Sequence, residues 1–204
     1  MPRALSKAEV QDFRDRLCAA ASRIFAAKGL SGFTMRELAA ALGVSPMTPY
    51  RYFKDKDEIL AAVQARAYEN FSATLEAAFN ARPRPHDGPS AIAAASAVAE
   101  AYIRFALDDP DSYRLMFDIP QHHRERYPGL ARAQDRARAT LTRHVEPLIA
   151  TGMVRGDPNV IGHVYWATIH GVVMLQMSGG LGYPIETILD AAFRALAVGF
   201  SAPG

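Results

Sequence analysis

The chain holds one cysteine and one tryptophan, sustains little alternation of apolar and polar residues, and lacks any long uninterrupted apolar run. A single thiol, Cys18, cannot close an intramolecular disulfide, which points to a reducing, cytoplasmic setting. The segment after Met1 has no apolar stretch of the signal-peptide kind. The longest apolar run, from Val160 to Leu175, is broken by His163 and His170 and is shorter than the roughly 20 residues a membrane crossing needs, so no membrane span is expected. Nor is there a Gly-Xaa-Ser-Xaa-Gly turn, a glycine loop for phosphate or a ligand-spaced metal motif. His163 and His170 stand about two helical turns apart, too far for adjacent ligation. No catalysis, cofactor or metal is expected.

Against these absences stand 204 residues that are 50% hydrophobic and 22% charged, enough for one or two globular domains with a real core. The net charge of +2 is unevenly spread. Residues 1–54 carry nine basic side chains (Arg3, Lys7, Arg14, Arg16, Arg23, Lys28, Arg36, Arg51, Lys54) against four acidic ones (Glu9, Asp12, Asp15, Glu37), so this part is +5 and the remainder −3. A basic head on a mildly acidic body suits a face that meets a polyanion, where each neutralised phosphate releases counterions.

Apolar residues recur at threes and fours, which predicts an all-α chain. A capping box, Ser6 with Glu9, opens a first helix that presents Val10, Phe13, Leu17, Ala20, Ile24 and Phe25 on one face and stops at Gly29. A second box, Thr34 with Glu37, opens a short helix ending at Gly43, and a third helix is expected from about Ser45 to Phe53. Asp55 caps a long helix through Phe79. The stretch Arg82-Pro-Arg-Pro-His-Asp-Gly88 reads as a mobile loop. Further helices are expected at about 89–107, 110–117, 128–151, 158–179 and 185–200, with Asp109-Pro110 and Asp157-Pro158 as N-cap and first-turn pairs. His122-His123 reads as a solvated loop pair.

Thr34 to Phe53 thus has the layout of a helix-turn-helix, whose second helix enters a DNA major groove. Around that second helix Thr48, Tyr50, Arg51, Tyr52, Lys54 and Lys56 crowd hydroxyl donors and cations that suit phosphate oxygens. The run Gly-Phe-Thr-Met-Arg-Glu-Leu-Ala-Ala-Ala-Leu-Gly-Val-Ser over 32–45, followed by Tyr-Arg-Tyr-Phe-Lys-Asp-Lys-Asp-Glu-Ile-Leu over 50–60, resembles the N-terminal signature of the TetR family of repressors. The likeness spans roughly residues 10–62. It implies a homodimeric repressor on a double-stranded, inverted-repeat operator, released by a small-molecule effector. It further implies that Thr34 and Lys56 meet phosphates at helix N-termini and that Tyr50 and Tyr52 meet the DNA backbone, while Arg36, Ser45, Pro46, Met47 and Thr48 fall at base or groove contacts. Arg36 has the fork to grip a guanine edge, and the methyls of Met47 and Thr48 suit a thymine methyl. Pro49 departs from the family, which usually has an aliphatic residue there. A proline lacks the N–H and restrains Thr48, so the recognition helix is either distorted or begins later, with Thr48 as N-cap.

The expected division is a DNA-binding three-helix domain over 1–55 and a helical ligand-binding and dimerisation domain over 56–204. Trp-Ala-Thr-Ile-His-Gly at 166–171, with Tyr-Arg-Leu-Met-Phe at 113–117, resembles a widespread C-terminal type in which Trp, His and Gly recur. His163, Trp166 and His170 share one helix face, read either as a pocket wall or as core with satisfied polar tips. Expected ligand contacts are Phe105, Tyr113, Met116, Phe117, Trp166, His170 and Met174, a mixture of aromatic walls, adaptable thioethers and a few donors. The last two helices carry more apolar surface than one chain buries readily, which suggests the dimer interface.

Overall fold

Helices begin in this chain where a side chain satisfies the first free backbone amides. The computed structural model describes residues 6–117 and 124–201, so His122-His123 lie outside the described residues. Ser6 and Glu9 form the expected reciprocal box at the start of α1 (Lys7–Gly32), with Glu9 N donating to Ser6 Oγ at 3.2 Å and Ser6 N to Glu9 Oε2 at 2.8 Å. Gly29 leaves helical geometry (φ 66°), yet one further turn follows it before Phe33. Thr34 Oγ1 accepts from Glu37 N at 3.1 Å and opens α2 (Met35–Ala41). Asp55 accepts from Glu58 N at 2.9 Å at the head of α3 (Lys56–Asn80). The Arg82–Asp87 loop ends in an Asp87–Ser90 box that starts α4 (Gly88–Asp108), and Asp109 accepts from Ser112 N ahead of α5 (Pro110–Phe117). Then come α6 (Pro128–Ala150), α7 (Pro158–Met177), capped by Asp157, and α8 (Ile185–Gly199). Among the described residues the fold is all-helical, as expected.

The chain divides into two compact units, Met1–Ala67 with Arg114–Ala133 and Tyr68–Tyr113 with Gln134–Gly204. In the first, Leu17, Ala21, Phe25, Phe33, Leu38, Phe53, Ile59, Val63 and Leu115 form one buried cluster, with Phe25 stacked on Phe33 at 4.3 Å. Cys18 lies in this cluster, and burial pushes its thiol up to about 11, against the pull of Arg14 and Arg66. In the second unit α7 packs against α4 and α8. At Gly162 of α7 the helices come close enough that an added Cβ would sit 3.1 Å from the Leu141 carbonyl oxygen of α6. Length and composition alone would let α4 and α7 cross a bilayer. Both instead bury part of their apolar surface within the second unit, α4 through Ala94, Val98 and Tyr102 and α7 through Ile161, Ile169 and Val173.

Candidate functional site

The turn between α2 and the recognition segment closes as a Schellman motif, with Val44 N donating to Ala39 O at 3.0 Å and Gly43 N to Ala40 O at 3.1 Å. This geometry places Gly43 at φ 64°, a conformation that strains any residue with a Cβ. Beyond it, the α-helix expected over 45–53 does not form. Pro49 has no N–H to continue the ladder, so the segment breaks into a turn (Thr48 N to Ser45 O, 2.8 Å) and a 3-10 turn over Pro49–Arg51. Thr48 stands at the N-cap with helical angles (φ −63°, ψ −47°), and its side chain makes no cap bond. The Pro49 ring is fully buried, filling inward the place that an aliphatic side chain would take.

A single helical turn cannot hold itself rigid, and here α1 holds it. Arg14 donates to the Tyr52 carbonyl, its guanidinium lies over the Phe53 ring at 4.1 Å, and it pairs with Glu58 at 3.9 Å. The Phe13 ring sits 4.7 Å from that of Tyr52. Phe13 was legible as an inward residue of α1. Arg14 was not, because nothing in local spacing marks a cation that grips a carbonyl far along the chain.

On this frame Arg36, Ser45, Pro46, Met47, Tyr50 and Arg51 are exposed, Met47 to 68%. Glu37 is engaged by Lys28 rather than by Arg36. Thr34 is exposed at the α2 N-terminus, while Thr48, Tyr52 and Lys56 are half-buried. Lys56 donates to the Leu30 carbonyl and lies 5.8 Å from the Phe33 ring centre, so its ammonium also ties the end of α1 to the start of α3.

In the second unit α3, α4, α6, α7 and α8 line a half-open cavity of about 390 Å³. Its wall is mainly apolar, with Leu75, Val98, Leu141, Val145, Leu148, Ile169 and Phe193 prominent, and the polar side chains on it are Ser96, Tyr102, His144, Tyr165 and Trp166. Asp190 and Arg194 also line it, but they are exposed and pair with each other at 3.6 Å. Trp166 is thus on the wall. Tyr113 and His170 lie in a hydrogen-bonded chain that reaches that wall: Trp166 Nε1 donates to Tyr102 Oη (3.2 Å), the Tyr102 and Tyr113 hydroxyls are 2.7 Å apart, and Tyr113 Oη is 2.6 Å from His170 Nδ1. With His170 Nδ1 as the terminal acceptor, each hydroxyl in the chain donates onward. Burial pushes the Tyr102 hydroxyl well above its ordinary value, against the pull of Tyr113 and Trp166. Phe105 meets Phe71 edge-on at 5.3 Å, and Met174 is half-buried. Met116 and Phe117 belong to the first unit. His163 is exposed, its Nδ1 donating to Asn159 O at 2.7 Å.

Of the expected ligand contacts only Trp166 is on this wall; sequence reading missed its other polar side chains, Ser96, Tyr102, Tyr165 and His144. His144 is buried, its ring is 5.4 Å from Phe79, and its Nε2 has no hydrogen-bond partner. Burial, helped by Arg143 and opposed by Glu76, lowers its pKa to about 4, so the imidazole is neutral at ordinary pH. An unpaired buried group of this kind costs about 1–3 kcal/mol.

A capped helix, a Schellman turn and an exposed, donor-rich helical turn on a basic unit define a helix-turn-helix DNA-binding protein. A family model described as bacterial regulatory proteins, tetR family, matches residues 17–63, and one described as the tetracyclin repressor-like, C-terminal domain matches residues 95–200. The chain belongs to the TetR family of transcriptional regulators. An HTH-type transcriptional regulator of Mycobacterium tuberculosis is 25% identical over 205 aligned positions, covering 82% of this chain and 83% of that protein. An uncharacterized HTH-type transcriptional regulator of Haemophilus influenzae is 38% identical over 69 residues, 34% of this chain, and the chain spans only 37% of that relative's length. Among solved structures, a protein of unknown function from Rhodococcus superposes with a TM-score of 0.78 at 28% identity, covering 93% of this chain and 95% of that one. A TetR family regulator from Thermus thermophilus shares the fold at a TM-score of 0.66 and 20% identity, covering 92% of this chain and all of that one.

Proposed function

We propose that the protein is a cytoplasmic, homodimeric repressor that binds an inverted-repeat operator and is released when a small molecule fills the cavity of the second unit. The observation that carries this reading is the cavity, about 390 Å³ of mainly apolar space in the unit that does not hold the helix-turn-helix. Residues 1–55 serve as the DNA-binding domain and 56–204 as the effector and dimerisation domain, the latter of the type in which Trp166, His170 and Gly171 recur. Arg36, Ser45, Pro46, Met47 and Thr48 face bases, and Thr34, Tyr50, Arg51, Tyr52 and Lys56 meet the phosphate backbone. Exposure of Arg36, Met47 and Tyr50 supports this assignment.

Dimerisation through α7 and α8 is supported by an exposed apolar stripe on each: Val160, Ala167, Gly171 and Leu175 on α7, and Ala191, Ala195 and Val198 on α8. Spacings of three, four and seven keep each set on one side of its helix. Ile161, Ile169, Val172 and Val173 are buried inside the protomer, so Val198→Glu, on the exposed stripe, is the variant that probes the interface. The test of the whole reading is an operator selected from random duplex DNA, followed by titration of a small molecule with and without that operator, read by Trp166 fluorescence. A releasing effector binds more weakly to the operator complex by the same factor by which it weakens DNA binding. Equal binding in both conditions removes the induction reading.

A further inference from the structure

Three features of the cavity wall bear on what it holds. Its space equals that of about 13 water molecules at ~30 Å³ each, room for a ligand of roughly a dozen heavy atoms. Its charged lining is confined to Asp190 and Arg194, which neutralise each other and keep most of their surface in solvent. Tyr102 and Trp166 spend their polar atoms on each other and on the chain to Tyr113, whereas the buried His144 has an Nε2 without a partner.

We propose that the cavity takes an electrically neutral, mainly hydrocarbon ligand with one hydroxyl or carbonyl group, and that this group pairs with the imidazole of His144. The inference rests on the reading of the cavity as an effector site and adds the chemistry of the effector. An ionised carboxylate or ammonium among the apolar side chains of this space gives up hydration and meets no counter-charge other than the Asp190–Arg194 pair, which disfavours acids and amines against neutral ligands. A hydrocarbon without a polar group fills the space but leaves Nε2 unpaired. His144 already lines the cavity, and the torsion from its Cβ to the ring is a soft one. Because His144 is uncharged, it meets a hydroxyl or carbonyl as an ordinary donor or acceptor rather than as an ion-pair partner.

Four probes of nearly equal size separate the possibilities on the full-length protein: phenylbutanol, butylbenzene, phenylbutyrate and phenylbutylamine. Binding is read by Trp166 fluorescence and by thermal shift. Phenylbutanol is expected to bind about tenfold more tightly than butylbenzene and by a wider margin than either charged probe. In His144→Leu the margin of the alcohol over the hydrocarbon should disappear while butylbenzene still binds, and Ala95→Phe, which fills the cavity, should abolish both. Equal or tighter binding of phenylbutyrate, in the manner expected if Arg194 were the anchor, overturns the proposal. So does failure of all four probes to bind, or an undiminished alcohol margin in His144→Leu. The four-probe ranking on the unaltered protein decides the matter even if His144→Leu does not fold. If phenylbutanol binds as expected yet leaves operator affinity unchanged, the ligand chemistry stands and the induction reading falls.

Discussion

The two units keep their working parts by opposite means. In the first, the recognition turn is exposed, too short to support itself, and steadied from outside by Arg14 and Phe13 of α1. In the second, the cavity is held open by the packing of several helices, and its polar groups are mostly fixed by one another. A surface that must fit a long polyanion gains from adjustable side chains on a short turn, whereas a small ligand needs a wall already formed before it arrives.

The contrast is broken most strongly at Phe53, which is 1% exposed, belongs to the first unit's core and carries the Arg14 guanidinium on its ring. Phe53→Ala should cost about 3–5 kcal/mol and abolish DNA binding, while the second unit keeps its phenylbutanol affinity wherever the protein remains folded. Urea unfolding followed by circular dichroism and by Trp166 fluorescence separates the two units.

Acid should act on the other side of the comparison. His144 titrates at about 4 in the folded protein against an ordinary 6.5, so between these values the unfolded chain binds the additional proton. The stabilisation from keeping this ring neutral is fully present above pH 6.5 and is lost as pH falls toward 4, on the order of 3 kcal/mol in all. His144→Gln should flatten that part of the stability profile, and an unchanged profile would remove His144 as its source.

Gly162→Ala presses a methyl against the Leu141 carbonyl at 3.1 Å and should destabilise the second unit by about 1–3 kcal/mol without altering base preference. The smallest effect is expected at Arg14, part-exposed and outside the proposed DNA contacts. Arg14→Met should weaken all operators alike by about 1 kcal/mol with the salt dependence intact. Arg36→Ala, in contrast, should relax preference at one base pair per half-site. A reduced salt slope in Arg14→Met would turn it from a positioning residue into a phosphate contact.

Much of this fold could be read before its coordinates, because caps are local chemistry. Ser6, Thr34, Asp55, Asp109 and Asp157 stand where helices begin, and each needs only a residue two to three places on to do its work. The recognition segment was half legible. Pro49 announced a defect, but whether the helix shifted or collapsed to a single 3-10 turn depended on Arg14, Phe13 and Phe53, which periodicity cannot bring together. The cavity was least legible, since its wall takes one or two residues per turn from several helices and local pattern does not reveal which apolar positions line a space and which fill one. Trp166 stood out by rarity, and His144 had no such flag.

The sealed position of Cys18 makes the thiol a clock for the first unit. With its proton held until about pH 11, the thiolate fraction at neutral pH is on the order of one in ten thousand, and the buried sulfur is shielded even from a neutral reagent. Alkylation of the native protein therefore has to wait for the helix-turn-helix unit to open, and its rate measures how often that happens. Because the sequence has no other cysteine, the signal needs no deconvolution, and bound operator should slow it in proportion to its occupancy.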